Sequence, residues 1–288
     1  MQQRPFRQID VFSHHPGFGN PVAVVLDAQG LSDADMRRFA AWTNLSETTF
    51  LMPPTAAGHA AGADYRLRIF SPRGELPFAG HPTLGTCRAW LQQGHTPRVP
   101  GLVVQESAQG LVQIEHQGDT LAFAAPPLQR SKPSPALVPL AASALGLRPH
   151  QIRATQLLDN GPVWLGLLLD SAETVLGLTP DHARLKDLGQ DVGVIHIAPD
   201  AGDNPERPGA VVRAFAAPMG NPEDPVTGSL NASLAQWLIA EGLAPTRYLV
   251  AQGECLGRAG RVYIHQDAQG QVWVGGHTVT CIEGTALL

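Results

Sequence analysis

Three residues of this chain pair a titratable side chain with a setting suited to proton movement: Glu47, His81 and Asp224. His81-Pro-Thr-Leu-Gly-Thr86 and Asp224-Pro-Val-Thr-Gly-Ser229 read as two copies of one phrase, 143 positions apart in a chain of 288 residues. The echo reaches upstream to Arg68-Ile-Phe-Ser-Pro72 and Arg213-Ala-Phe-Ala-Ala-Pro218, as in an internally duplicated chain. In both copies a residue able to cap a helix, His81 or Asp224, precedes a proline suited to the first helical position, so both phrases read as helix starts. Asp caps well and His poorly, which points to chemistry rather than capping for His81. Unpaired N–H groups at a helix start favour an anion, and two such starts facing one cleft suit a small carboxylic acid.

In Asn44-Leu-Ser-Glu-Thr-Thr-Phe50, Glu47 lies between a helix end and an apolar strand, where partial desolvation raises a carboxyl towards working pH. A His, an Asp and a Glu together form an acid/base set that can move a proton across a bound molecule. The same residues also read as two helix caps and a surface glutamate. Thr86 and Ser229, the paired hydroxyls of the repeat, can bind substrate or bond back within the first helical turn.

The rest of the chain supplies elements to position these groups. Phe6 to Phe12 and Val22 to Leu26 read as strands around a Gly/Pro-rich loop, a hairpin-like start. Ser32 with Asp35 resembles a capping box opening a helix over 32–44, and strands follow at 48–52 and 65–70. A helix from Pro82 to about Gln93 ends at Gly94, and strands near 102–107, 111–116 and 120–124 form an antiparallel meander. Prolines crowd 126–139, the best linker in the chain. Beyond it, strands near 163–169, 192–198, 211–216 and 246–250 alternate with helices near 136–146 and 181–188. A helix over 225–241, closed by Gly242, is apolar almost all round and is therefore a buried helix. Strands at 261–265, 271–274 and 278–282 end the chain. The sum is an α+β protein of two halves, 1–125, which the tail 278–288 can complete, and 126–277, each wrapping strands around a buried helix.

Composition excludes several function classes. The net charge of -5, with no run of Lys or Arg, gives no footprint for nucleic acid or an anionic membrane. No stretch approaches the roughly 18 apolar residues of a membrane span and the first residues lack a signal core, so a cytoplasmic protein is expected. Cys87, Cys255 and Cys281 are odd in number and form no Cys-x-x-Cys pair, which suits buried core cysteines in a reducing compartment. The 11 histidines show no metal-ligand spacing, Gly228-Ser229-Leu230 lacks a nucleophile elbow, and no glycine-rich phosphate loop follows a strand. No metal and no nucleotide cofactor are expected.

One ordered series carries a family resemblance: Asp10-Val-Phe, Gly19-Asn-Pro-Val-Ala-Val24, Asn44-Leu-Ser-Glu-Thr-Thr-Phe50, Arg68-Ile-Phe, Glu75-Leu-Pro-Phe-Ala-Gly-His-Pro-Thr-Leu-Gly85, Asp159-Asn-Gly-Pro162 and Glu223-Asp-Pro-Val-Thr-Gly-Ser229. Over nearly its whole length the chain resembles the phenazine biosynthesis PhzF-like isomerases, whose fold is like that of diaminopimelate epimerase. The resemblance implies two pseudo-symmetric domains, each a mixed β-barrel-like sheet wrapped around a central helix, with the active site in the cleft between them. It also implies a homodimer and no cofactor. Carried over by residue, it implies Glu47 as the proton-transferring glutamate, His81 and Asp224 as supporting acid/base groups, and Ser46, Gly80, Thr83, Gly228 and Ser229 as substrate contacts.

Related racemases and epimerases of this fold place a cysteine at each duplicated helix start. His81 and Asp224 stand there in this chain, which disfavours a two-thiol racemisation. Val226 and Leu230 stand where smaller residues are common and bear on pocket shape and substrate identity. The implied reaction is an isomerisation in which Glu47, as carboxylate, takes a proton from a carbon of a small unsaturated cyclic or amino carboxylic acid and returns it at another carbon, shifting the double bonds. Two other readings stay open: a dehydratase or epimerase of a small hydroxy or amino acid, and a non-catalytic dimer that binds a small acid.

Overall fold

The computed structural model of the chain describes residues 1–204 and 206–288. These form two compact units, one of residues 1–124 and 275–288 and one of residues 125–274. In the first, β1 (Gln3–Val11) and β2 (Asn20–Val25) pair as an antiparallel hairpin, as the alternation predicts. Helix α1 (Asp33–Thr43), capped by the Ser32 side chain accepting from the Asp35 N–H, crosses over to β3 (Thr48–Met52), which lies parallel to β2. A short helix α2 (Ala56–Ala60) precedes β4 (Tyr65–Ser71), antiparallel to β3, and β5 (Gly74–Leu76) folds back on β4. Helix α3 (Gly80–Gln92) leads to β6 (Leu102–Ser107), parallel to β4, and the expected meander continues through β7 (Gly110–Gln117) and β8 (Thr120–Ala124).

The second unit repeats this order. After β9 (Gln129–Ser131) and α4 (Leu137–Leu145), β10 (Ile152–Asp159) and β11 (Val163–Leu169) form the hairpin. Two short helices, α5 (Ala172–Leu176) and α6 (His182–Leu188), make the crossover to β12 (Asp191–Ile197), parallel to β11. Then come β13 (Ala210–Ala216), antiparallel to β12, β14 (Asn221–Asp224), helix α7 (Gly228–Ala240), β15 (Arg247–Gln252), parallel to β13, and β16 (Gly260–Gln266). The two strands expected at 271–274 and 278–282 are one, β17 (Val272–Leu287), which runs on through Gly275-Gly276 because the turn residues Gln269-Gly270 precede it and its pairing with β1 continues from Thr278 to Leu287. Pairing of β17 with β1 and β8 closes β1, β2, β3, β4, β6, β7, β8 and β17 into an eight-stranded barrel in the first unit. Helix α3 packs against five of these strands and is buried from Gly80 to Cys87, which a helix of that composition requires. Outside each sheet lies a second core: α1 with Phe50 and Phe70 in the first unit, α4 and α6 with Leu165, Val192 and Phe215 in the second.

The structure corrects the register of the repeat. Helices α3 and α7 start at Gly80 and Gly228, 148 positions apart, and each is followed by a left-handed glycine, Gly94 and Gly242, at the same spacing. The matched phrases are therefore Glu75-Leu-Pro-Phe-Ala-Gly-His81 and Glu223-Asp-Pro-Val-Thr-Gly-Ser229, so His81 corresponds to Ser229 and Asp224 to Leu76. Neither His81 nor Asp224 is an N-cap: His81 is the second residue of α3, and Asp224 ends β14. Pro82 sits in the first turn, where an N–H has no helical partner in any case, and Pro225 belongs to the turn before α7. A further correction concerns the thiols, since only Cys87 is buried. Cys255 lies in a short turn at Glu254–Leu256 and Cys281 on the outer part of β17, both solvent-exposed.

The same anchor precedes both helices. Arg68 and Arg213 each lie 5.1 Å over a phenylalanine ring two residues on, Phe70 and Phe215, and each forks onto the glutamate five residues ahead of the helix. Arg68 meets Glu75 at 2.7 and 2.6 Å, and Arg213 meets Glu223 at 2.8 Å twice. The second fork is buried, with side chains 6% and 7% exposed, whereas Glu75 in the first is 30% exposed. Glu223→Ala, which strands a buried guanidinium, is expected to cost about 3–5 kcal/mol in denaturant unfolding, and Glu75→Ala about 1 kcal/mol or less. Equal losses would refute this difference.

Candidate functional site

In the first unit, α1 ends at Asn44 in the left-handed conformation (φ 54°), which turns the chain towards β3. The Thr43 and Thr48 hydroxyls, 2.8 Å apart, clamp the turn that carries Ser46 and Glu47. Two residues on, the Thr49 hydroxyl accepts from Thr86 Oγ1 of α3 at 2.9 Å, so this face of β3 looks at the helix. With the two-residue period of a strand, Glu47 falls on the same side, near the first turn of α3. There Glu47 Oε2 lies 3.2 Å from His81 Nε2, with side chains 16% and 6% exposed.

His81 has a second contact, the Pro21 backbone carbonyl, which accepts from the ring. Since Nε2 faces Glu47, the nitrogen that donates is Nδ1. Burial holds this histidine down to about 3, so it is neutral at working pH. A neutral ring in this tautomer turns the Nε2 lone pair towards the carboxyl, and the contact is attractive when one proton lies between the two atoms.

The start of β2, which supplies the Pro21 carbonyl, is itself pinned: the N–H of Gly19 just before it donates to buried Asp10 Oδ2 at 2.9 Å, and a Cβ at Gly19 would meet the Val11 carbonyl oxygen at 2.1 Å. Gly80 opens α3 without a side-chain cap. Thr83 is wholly buried, and its hydroxyl accepts from Gln105 Nε2 at 3.1 Å.

In the second unit, Asp224 is buried and accepts from Asn221 Nδ2 at 3.1 Å and from the Thr227 hydroxyl. Gln252 organises the turn between Asp224 and α7. Its amide donates to the Asp224 carbonyl and Thr227 Oγ1, while its oxygen accepts from the Thr227 N–H and Asn231 Nδ2. Gln105 and Gln252 are counterparts, each tying the fourth residue of a central helix, Thr83 or Asn231, to the strand after it. Gly228 opens α7, again without a side-chain cap. Ser229 Oγ accepts from the Trp164 indole at 3.3 Å, which leaves the hydroxyl proton for an acceptor, and the Ser229 carbonyl accepts from Asn160 Nδ2.

Gln105, Gln252, Trp164 and Pro21 escape a reading of the sequence. The signal for the glutamines was an amide inside an apolar run, Val103-Val-Gln105 and Leu249-Val-Ala-Gln252. Val226 and Leu230 turn out to be wholly buried, and each fills space left by a glycine, Gly260 or Gly193, whose added Cβ would approach them to 2.4 and 2.3 Å. They fill the interior. Among the described residues no group of three or more His, Cys, Asp or Glu side chains is placed to hold a metal ion.

Because the unfolded chain protonates a histidine near 6.5 and the folded one only near 3, His81 lowers stability as pH falls through that window. Imidazole ¹⁵N NMR is expected to find His81 neutral and protonated at Nδ1 from pH 8 down to pH 4, and an imidazolium at pH 6 would contradict this geometry.

The sequence family described as phenazine biosynthesis-like protein (PhzC-PhzF) matches residues 9–284. Over the full length of both chains this protein is 34% identical to antisense-enhancing sequence 1 of Schizosaccharomyces pombe. It is 33% identical to the trans-2,3-dihydro-3-hydroxyanthranilate isomerase of Pseudomonas aeruginosa, covering 97% of this chain and 98% of that one. Among solved structures, the PhzF-family phenazine biosynthesis protein of Bacillus anthracis superposes over 100% of both chains with a TM-score of 0.82 at 22% identity, a likeness of fold. The two-unit, helix-centred α+β architecture is the diaminopimelate epimerase-like one that the resemblance implied. This chain belongs to the phenazine biosynthesis-like protein family and is, by class, an isomerase.

Proposed function

We propose that this protein catalyses a cofactor-independent shift of a proton, and with it a double bond, on a small unsaturated cyclic or amino carboxylic acid. Glu47 is the base that removes the proton from carbon, and the proton is returned at another carbon. The observation that carries this reading is the 3.2 Å approach of Glu47 to a buried, neutral His81. A carboxyl beside a neutral imidazole can hold a proton and release it again, which removal and return both need. General acid/base catalysis of this kind supplies roughly 10²- to 10⁴-fold, so orientation of the acid must supply much of the remaining acceleration.

The uncapped first turns of α3 and α7 offer N–H groups suited to a carboxylate, and Ser229 adds a hydroxyl donor. In this proposal the substrate contacts are Ser46, Gly80, Thr83, Gly228 and Ser229, and His81 and Asp224 are the supporting acid/base groups. The family relative that acts on trans-2,3-dihydro-3-hydroxyanthranilate makes that compound the first to test. The proposal extends to a homodimer in a reducing, cytoplasmic setting, with which the three free thiols agree.

Proton NMR in D₂O with trans-2,3-dihydro-3-hydroxyanthranilate and a panel of small hydroxy and amino acids is expected to show isomerisation or deuterium uptake by the native chain. Glu47→Gln should keep its melting temperature and ligand affinity and lose at least about 10²-fold in turnover. An undiminished rate would remove Glu47 from the mechanism. Products with the double bond unmoved and one stereocentre inverted would replace isomerisation by epimerisation.

A further inference from the structure

The corrected register of the repeat reaches beyond the two helices. Arg68 and Arg213 align β4 with β13, and antiparallel pairing carries the match one strand further. Phe70 lies opposite Thr48, and its counterpart Phe215 lies opposite Val192. Thr48 therefore corresponds to Val192, and the residue before each is a carboxylic acid, Glu47 in the first unit and Asp191 in the second.

Both acids face a central helix. Thr49, two residues after Glu47, touches Thr86 of α3, whereas Gly193, two residues after Asp191, sits against Leu230 of α7, where an added Cβ would come within 2.3 Å of Leu230 Cδ1. The two-residue period puts Asp191 on that same face, one step nearer the start of α7. Its partner in the parallel ladder is Trp164, the residue whose indole reaches Ser229. Glu47 has His81 opposite it; the position equivalent to His81 is Ser229, which offers a hydroxyl and no base.

Asp191 Oδ1 is buried and, among the described residues, has no hydrogen-bond partner. We propose that Asp191 is a substrate-binding residue of this enzyme, whose carboxyl donates a hydrogen bond to the carboxylate of the substrate beside the first turn of α7. The inference rests on the isomerase reading and adds a residue and a role to it. Loss of a proton from carbon in an unsaturated acid pushes negative charge onto the carboxylate oxygens, where a neutral acid is a better partner than an ionised one.

The surroundings favour that form. Burial alone raises the Asp191 carboxyl to about 6. Neither β11 nor α7 carries a titratable side chain. On β13, Arg213 is committed to Glu223, and Asp224 at the end of β14 is held by Asn221 and Thr227. His196, on β12 itself, has its ring on the Leu169 carbonyl.

The test measures affinity for trans-2,3-dihydro-3-hydroxyanthranilate by calorimetry between pH 5 and pH 8, in a Glu47→Gln background so that no turnover intervenes. With Asp191 present, Kd is expected to rise at least about tenfold as pH rises through the titration of Asp191. Adding Asp191→Asn, which keeps an N–H donor and cannot ionise, should abolish that rise and leave affinity at pH 8 near its pH 5 value. Asp191→Leu should weaken binding at every pH. Titration of the ligand itself is common to all three proteins and cancels in the comparison.

An Asn variant with the unchanged pH slope, or a Leu variant that binds as tightly as its parent, would overturn the role of Asp191 while leaving the Glu47 reading intact. Failure of the Glu47 reading shows separately, as undiminished turnover in Glu47→Gln. Absence of binding by any of the three proteins would overturn both.

Discussion

A helix buried on all sides constrains everything else in this protein. Helices α3 and α7 are nearly free of exposed residues, so their sheets must wrap around them and their lateral surfaces carry no function. Only their ends can meet a ligand. At each start the first N–H groups lack helical partners, no side chain caps them, and Gly80 or Gly228 keeps side-chain bulk away. The fold thereby makes two polar openings out of two apolar helices. The Arg–Glu fork five residues upstream fixes the approach of the chain to each one.

Duplication supplied equal frames, and substitution made the two openings unlike. The first holds Glu47 3.2 Å from His81. The second has Ser229 in place of the histidine and a shorter acid, Asp191, in place of the glutamate. It also has Asp224 where the first unit has Leu76, locked in place by Gln252 and Thr227. In the proposed reaction the first opening supplies the base, and hydrogen-bond donors of the kind the second carries suit an acid group.

Much of this was legible in the chain, because periodicity and caps are local. The hairpin at 3–25, the Ser32 cap, the meander after 102 and the buried character of α7 all follow from spacing alone. Strand β10 was illegible: Arg153, Thr155 and Gln156 interrupt its apolar pattern because much of that strand is only partly buried. The repeat was found in the wrong register because His-Pro and Asp-Pro look alike as helix caps, whereas helix starts are decided by the glycine and by the fork behind it. Glu47 and His81 were visible as chemical groups, but their contact depends on Thr49 facing Thr86, a tertiary fact. Asp191 was invisible because a single Asp ahead of an apolar strand has no meaning until its counterpart in the other unit is known.

The central claim is that Glu47 moves the proton. A crystal structure of Glu47→Gln with trans-2,3-dihydro-3-hydroxyanthranilate bound tests it most directly, because the altered side chain still occupies its place. Proton transfer by Glu47 requires the side-chain amide of residue 47 to lie within about 3–3.5 Å of the carbon that loses hydrogen. A substrate bound with that carbon turned away from residue 47, or seated elsewhere on the chain, would contradict it.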